Sequence, residues 1–482
     1  MIEESNNKKT VKGLVWGGVF SVLTQIVGLL FGIVLARLLS PAEYGLVGML
    51  AIFTALATLL QESGFVFVLT NKKDVSQEEY CTVFWFNISV SVILYFILFF
   101  ASPLIAHFFN EPRLVNLSRV VFLSFLVSSF GVVQSAYLYK HLKVKEKGII
   151  TIISQVLSGV IGIALALNGM SYWGIAIQTL SATTITTVLL WFYSPFRPSF
   201  IFSLDTLKRF LPDGIRFAFP NLFTTISENV YSIILGRFFS VQDVGLYNQA
   251  SKLNKYGYSI ILNIFRSVTQ PSLVNAQTLQ SEMLSKFRQL LRLSAFLTVP
   301  VMMAISLVSS ELVVFLFSEK WADVGVLLRV LSIGGIFINL GTMFSYLIMS
   351  LGKSTIYMRM GVFLALLKII VVLAAIGGGV IWLALLSSSA DIICFMLNHF
   401  IVRKEVRYTY RMLLTDLLPI FAVSIILYIS IYFVTLPVTN ITVLLFIRLI
   451  TFIVGYFTLV AVFKLKTFQE MRIVIKNKFK VK

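Results

Sequence analysis

Six polar residues recur along one stretch of the chain: Lys252, Lys255, Ser259, Asn263, Arg266 and Gln270. Their spacings of 3, 4, 4, 3 and 4 are helical. At about 100° per residue they fall within an arc of roughly 80°. Lys252 and Arg266 stand fourteen residues apart, which is about 21 Å along a helix axis. A line of cations at that spacing offers an anion successive weak sites. Lys acts on phosphate as a point charge, and Arg can grip it bidentately. Upstream, Asn221, Thr224, Glu228 and Tyr231 also share a helix face. That face is either polar glue between helices or the wall of a cavity. Glu228 is expected to be a protonation or cation site, or else a standing partner for a lysine on the neighbouring helix. Glu62 and Asp391 are the other acidic candidates for ion coupling. Lys368 and Asp391 sit near the middle of consecutive apolar runs and are expected to pair with each other. Arg448 has no partner readable in the sequence, and Arg216 lies where it can snorkel.

These polar residues stand out because of what surrounds them. Hydrophobic residues make up 58% of the 482, and charged residues 13%. Soluble domains carry about 25% charged residues, so half that supply cannot cover a water-facing surface of this size. The bilayer must be the solvent for most of it. Fourteen apolar runs are long enough to span, near residues 14–36, 44–69, 80–105, 115–138, 148–168, 172–193, 214–236, 245–273, 292–310, 325–350, 356–376, 379–402, 415–436 and 441–463. The first follows a segment that is polar through Lys12, and it reads as a span rather than a cleaved leader. Between the sixth and seventh runs, Leu204, Leu207, Phe210 and Leu211 face away from Lys208 and Arg209. That pattern predicts a short separate helix in the membrane interface.

The net charge of +19 does not indicate nucleic acid, because the basic residues cluster in short tracts between apolar runs. With the N-terminus inside, 28 Lys and Arg fall on inner segments, and only Arg37, Arg113, Arg119, Arg237, Lys320 and Arg329 on outer ones. The positive-inside rule then places both termini in the cytoplasm. The outer connections are short. His107 beside Glu111 is their nearest approach to a catalytic pair, and it reads as an interfacial loop pair. No nucleotide-binding motif occurs. Cys81 and Cys394 are far apart, and His107, His141 and His399 are scattered, so neither a disulfide nor a metal is expected, and no cofactor.

The chain also repeats. ARLLSPAEYGL at 36–46 answers GRFFSVQDVGL at 236–246, with Arg37 over Arg237, Ser40 over Ser240, Glu43 over Asp243 and Gly45-Leu46 over Gly245-Leu246. A weaker echo pairs PLIAHFFNEP at 103–112 with LVVFLFSEKW at 312–321. Six spans per copy is even, so the copies should be parallel repeats about an axis along the membrane normal. The expected fold is therefore an all-α polytopic membrane protein of about fourteen transmembrane helices. It comprises a six-helix lobe at 1–200, a second at 201–402, and two appended helices with a basic tail at 403–482. Transporters of this plan bind cargo between their lobes.

The stretches ARLLSPAEYGLVGM at 36–49, GFVFVLTN at 64–71, GRFFSVQDVGLYNQASKL at 236–253 and SVTQPSLVNAQ at 267–277 resemble the Wzx-type polysaccharide flippases. Those form the polysaccharide-transporter branch of the multidrug/oligosaccharidyl-lipid/polysaccharide exporter superfamily. The resemblance covers nearly the whole chain. It implies alternating-access transport of undecaprenyl-diphosphate-linked oligosaccharide across a bacterial inner membrane, for a surface glycan such as a lipopolysaccharide or exopolysaccharide. The implied partners are the lipid-linked oligosaccharide and the bilayer, with a glycan polymerase and chain-length machinery nearby. Lipid II flippases of that superfamily carry cations in the first spans, and drug exporters often an acid there. This chain has neither between Lys12 and Arg37. The substrate-binding candidates are Lys252, Lys255, Ser259, Asn263, Arg266 and Asn221, and the ion-coupling candidates Glu228, Glu62 and Asp391. The rival reading is an ion-coupled exporter of small amphiphiles on the same fold.

Overall fold

The computed structural model describes residues 2–62, 64–276 and 280–470, and among them the regular structure is entirely helical. The first compact unit, Met1–Gly245, holds α1 (Ile2–Leu38), α2 (Pro41–Met49), α3 (Ala51–Glu62), α4 (Phe65–Asn71), α5 (Gln77–Phe109), α6 (Leu114–Lys140), α7 (Val144–Leu167), α8 (Trp173–Tyr193) and α9 (Leu204–Phe238). α10 (Val241–Asn275) begins there and continues into the second unit, Leu246–Lys482. That unit adds α11 (Gln280–Leu307), α12 (Ser309–Phe317), α13 (Ala322–Ser350), α14 (Ser354–Ala374), α15 (Gly379–Val406), α16 (Tyr410–Val434) and α17 (Ile441–Val462). Twelve helical stretches among the described residues are long and apolar enough to cross a membrane. α9 and α10 are outside that set. Each has 35 residues, ample length at 1.5 Å per residue, but their polar faces lower the hydropathy.

Two expected elements differ. The second run, read as one span, is three helices, because the chain breaks after Met49 and again at Gly64. Gly64 has φ +70°, and a Cβ there would lie 2.2 Å from the Gly214 carbonyl oxygen, so only glycine fits this crossing of α9. The separate interfacial helix does not form. Leu204–Leu211 are the first turns of α9, which stays helical through Pro212 and Gly214. The reason is burial: Phe210 is 4% exposed and packs with Leu207 against Phe65, Tyr80 and Phe84.

The connection from α8 to α9 is pinned across the start of α5. Gln77 donates to the Arg197 carbonyl (2.7 Å), Trp85 to the Ser199 carbonyl (2.9 Å), and the Ser203 amide to Thr82 (3.1 Å). Phe200 stacks on Trp85 at 5.1 Å. Beside this strap, buried Glu79 accepts from Lys72 and from Arg209 (2.9 Å), tying α4, α5 and α9 together.

The repeated motif has a physical basis. In each copy a serine caps the N-terminus of the following helix. The Glu43 amide donates to Ser40 Oγ (3.4 Å), while the Ser40 amide donates to the Glu43 carboxylate (2.6 Å). The Asp243 amide donates to Ser240 Oγ (3.1 Å), and the Ser240 amide to Asp243 (3.2 Å). This is the capping box, and it explains the Ser-x-x-acid pattern. The copies also touch reciprocally. A Cβ on Gly45 would lie 1.8 Å from the Val241 carbonyl oxygen, and one on Gly245 would lie 1.8 Å from that of Pro41. Positions 41 and 45 thus meet 245 and 241, the isologous pattern of a local two-fold. No side chain fits at either glycine.

The last two helices are held at both ends. On α16, Asp416 accepts bidentately from Arg288 (2.8 and 2.9 Å), from Arg292 (2.9 Å) and from the Tyr408 hydroxyl (3.0 Å). Burial, and then Asp416, pushes the Tyr408 hydroxyl well above its ordinary pKa, so it remains a donor. On α17, Arg448 bonds Glu311 of α12 (2.7 Å) and Thr435 (2.9 Å) under the Tyr432 ring. That supplies the partner the sequence could not.

Candidate functional site

α10 is two-sided in the way its sequence spacing requires. Leu253, Ile261, Phe265, Thr269 and Leu273 are buried, and Ile261, Phe265 and Leu273 join the core made with α11 and α13. The opposite face carries Lys252, Lys255, Asn263, Arg266 and Gln270, all exposed, with Ser259 half-buried beside them. Among the described residues no acid lies within 4 Å of Lys252 or Arg266. The stripe is therefore an exposed row of cations and amides, mounted on a helix whose other face is packed.

Asn221, Thr224 and Glu228 lie on α9, and Glu62 ends α3, but their side chains fall outside the described residues. Tyr231, on the same face by spacing, is buried. Asp391 on α15 is 9% exposed. Its carboxylate and the Ser388 hydroxyl both lie against Gly334 of α13. The expected ion pair with Lys368 is not made. No salt bridge within 4 Å joins them, and Lys368 is half-buried on α14. The sequence gives both residues the same depth, but depth does not fix which way α14 and α15 turn their faces.

The pairing of His107 with Glu111 does not form. Glu111 takes a bidentate bond from Arg113 (2.7 and 2.8 Å), not from His107. That bond holds its carboxyl below the usual carboxylate range. Glu111 is thus a structural anion and not a base. Arg216 is exposed and lies 3.5 Å from Asp213 one turn back. The groups that sequence reasoning did not single out are Asp416, Glu311 and Glu79. Each is an acid with a partner on another helix, and no local spacing in the sequence signals the pairing.

Helices of membrane length, tied together by ion pairs and carrying an exposed cationic face on α10, make the fold of a multi-pass membrane protein. The chain superposes on the lipid II flippase MurJ in its inward closed conformation with a TM-score of 0.79, covering 93% of this chain and 98% of that one at 16% identity. At that identity the likeness speaks for the fold alone. The family described as "Polysaccharide biosynthesis protein" matches residues 34–326, more than half of the sequence, and the chain belongs to it. It is 25% identical over 411 residues to the lipopolysaccharide biosynthesis protein WzxC of Escherichia coli (strain K12), covering 83% of this chain and 82% of that one. It is also 25% identical over 335 residues to the teichuronic acid biosynthesis protein TuaB of Bacillus subtilis (strain 168), covering 69% of each. The Wzx-type resemblance read from the motifs thus stands, and family and fold point to transporters rather than enzymes.

Proposed function

We propose that the protein is a flippase that moves undecaprenyl-diphosphate-linked oligosaccharide from the inner to the outer leaflet of a bacterial inner membrane by alternating access. The observation that carries this reading is the exposed cationic face of α10. Three cations turned to acyl chains would cost of the order of 8–10 kcal/mol on insertion scales, so the face must meet water at membrane depth. A small drug does not require such a row, whereas a diphosphate head dragged through the membrane does. On this reading α9 and α10 are spans as well, α2–α4 together make one, α11 and α12 together another, and the total is fourteen. Both termini are cytoplasmic. External labelling of a cysteine placed at residue 143 or 405, with Cys81 and Cys394 removed, would overturn that orientation.

The cargo is tested by deleting the gene and measuring lipid-linked sugar in each leaflet. The expected result is glycan trapped on the inner face and loss of one surface polysaccharide. Normal surface glycan, with no second flippase present, refutes it and leaves the ion-coupled exporter. Asp391, Glu228 and Glu62 are the proposed ion-coupling acids, with Asn221 lining the path. The same assay reads coupling: export by Asp391→Asn or Glu228→Gln should no longer respond to the external pH. A variant with the ordinary pH response removes that acid from the coupling role.

A further inference from the structure

A groove of about 630 Å³ runs inside the first unit, between α3 and α4 on one side and α6 and α8 on the other, with the first turn of α7 at its mouth. Pockets of this size hold small ligands. On α6 it is lined by Ser128, Val132, Ser135 and Tyr139, whose spacings of 4, 3 and 4 keep to one helix face over about 16 Å. On α8 Thr183, Thr186 and Leu190 make the adjoining wall. Ser128 and Thr183 stand near the middle of the spans Leu114–Lys140 and Trp173–Tyr193, so the groove reaches deep into the bundle. The seam between these two helices is fixed. A Cβ on Gly131 would lie 3.0 Å from the Leu190 side chain, so α6 and α8 run close together there. The Thr187 hydroxyl donates to the Val127 carbonyl (3.3 Å), and the Trp191 indole to that of Phe130 (2.7 Å).

Serine and threonine inside a helix commonly turn to the carbonyl one turn back. Ser128 does so, donating to the Phe125 carbonyl (2.8 Å), and Thr183 donates to that of Thr179 (3.1 Å). Ser135 and Thr186 do not, and neither makes a hydrogen bond among the described residues. Both are half-buried and line the groove, and neither oxygen is sealed from it. A hydroxyl left unmet in apolar surroundings is costly, so these two call for a guest that donates and accepts. Charge narrows the chemistry further. No acid lines the groove, and its one cation, Lys147, stands at the mouth over the Tyr139 ring (5.6 Å). A cationic guest would find no counter-charge inside, and an anion would meet one only at the entrance. Leu59, Val66, Val132 and Leu190 lie between the hydroxyls. A neutral guest with hydroxyls on its edges and apolar ring faces matches such a wall, and that guest is a saccharide.

We propose that this groove of the first unit is a saccharide site that holds the uncharged sugars of the cargo, with Ser135 and Thr186 as its hydrogen-bonding groups. The cargo's identity rests on the flippase reading above; the groove's preference for sugar is tested separately from it. The full chain, with Cys81 and Cys394 removed and Val132→Cys added, is placed in phosphatidylcholine nanodiscs, and the alkylation rate at position 132 reports occupancy. Dodecyl maltoside should slow the labelling. Dodecylphosphocholine, with the same chain and no sugar, should not. Adding Ser135→Ala and Thr186→Val should raise the protecting concentration of maltoside about tenfold, the scale of two neutral hydrogen bonds. The Tm should not change, because neither hydroxyl bonds to the described protein. In cells the same two substitutions should lower export of the full lipid-linked oligosaccharide and spare a cargo that carries a single sugar. Protection by both detergents alike marks an acyl-chain groove, and protection by neither marks water alone; each overturns the proposal. So does unchanged maltoside protection in the double variant, or an equal loss of export for both cargoes. A parent protein that is protected by maltoside but exports neither cargo overturns the flippase reading and leaves the saccharide groove standing.

Discussion

Replacing Arg448 with alanine is expected to destabilise the protein by about 3–5 kcal/mol, the usual result of removing one partner from a buried ion pair. Arg448 is 4% exposed and Glu311 is 9% exposed, so neither charge has water to fall back on. Arg448 carries three interactions at once: the 2.7 Å bond to Glu311, the 2.9 Å bond to Thr435 and the Tyr432 ring. Alanine leaves the Glu311 carboxylate buried without a counter-charge. The double variant Arg448→Met with Glu311→Leu removes both charges and keeps the volume, and it should recover most of the loss. The measurement is an unfolding midpoint in detergent for the parent, both single variants and the double. A single Arg448→Ala variant as stable as the parent would show that α17 is not held through this pair. Asp416 anchors the other end of the appended helices, so either break should loosen α16 and α17 without melting α1–α8.

Why was Arg448 legible as a problem but not as a solution? Its place inside an apolar run marks a charge in hydrocarbon, and the physics says it must have a partner. Glu311 lies 137 residues away in sequence, and nothing in either local pattern names the other. The same holds for Asp416 with Arg288 and Arg292. The spans were legible because they are set by composition over some twenty residues, which tertiary contacts do not change. The repeat was legible as spelling, Ser40-x-x-Glu43 and Ser240-x-x-Asp243. The reciprocal glycine contact behind Gly45 and Gly245 became clear only when the backbones were seen to cross. The broken second span was missed because apolar content runs on through Met49 and past Gly64, so hydropathy cannot register two breaks. Lys368 and Asp391 share a depth in the sequence, but depth does not fix the rotation of α14 and α15, and the two make no salt bridge within 4 Å. That the α10 residues share one exposed face was legible because spacings of 3 and 4 fix a helix face whatever the neighbours are.

That face also supports the second large effect. Changing Lys252 and Lys255 together to alanine should reduce glycan export by at least about tenfold, equivalent to a loss of about 1.4 kcal/mol in holding the anionic head. The protein should still insert and fold, because both side chains are exposed and the helix is anchored by Leu253, Ile261 and Phe265 on its far side. On the proposed topology both lysines lie toward the outer end of the span, where the positive-inside rule disfavours them. A charge kept where orientation disfavours it is better explained by what it binds than by how the chain inserts. Arginine at both positions should restore part of the export, because it keeps the charge while changing the reach and geometry of the donors. Lys→Ala at 255 alone separates the two contributions, since Lys255 has other interactions to lose and Lys252 has no acid within 4 Å among the described residues. The readout is surface glycan and leaflet-resolved lipid-linked sugar at matched protein level. Undiminished export by the double alanine variant would mean that the cationic row on α10 is not the path of the cargo's head.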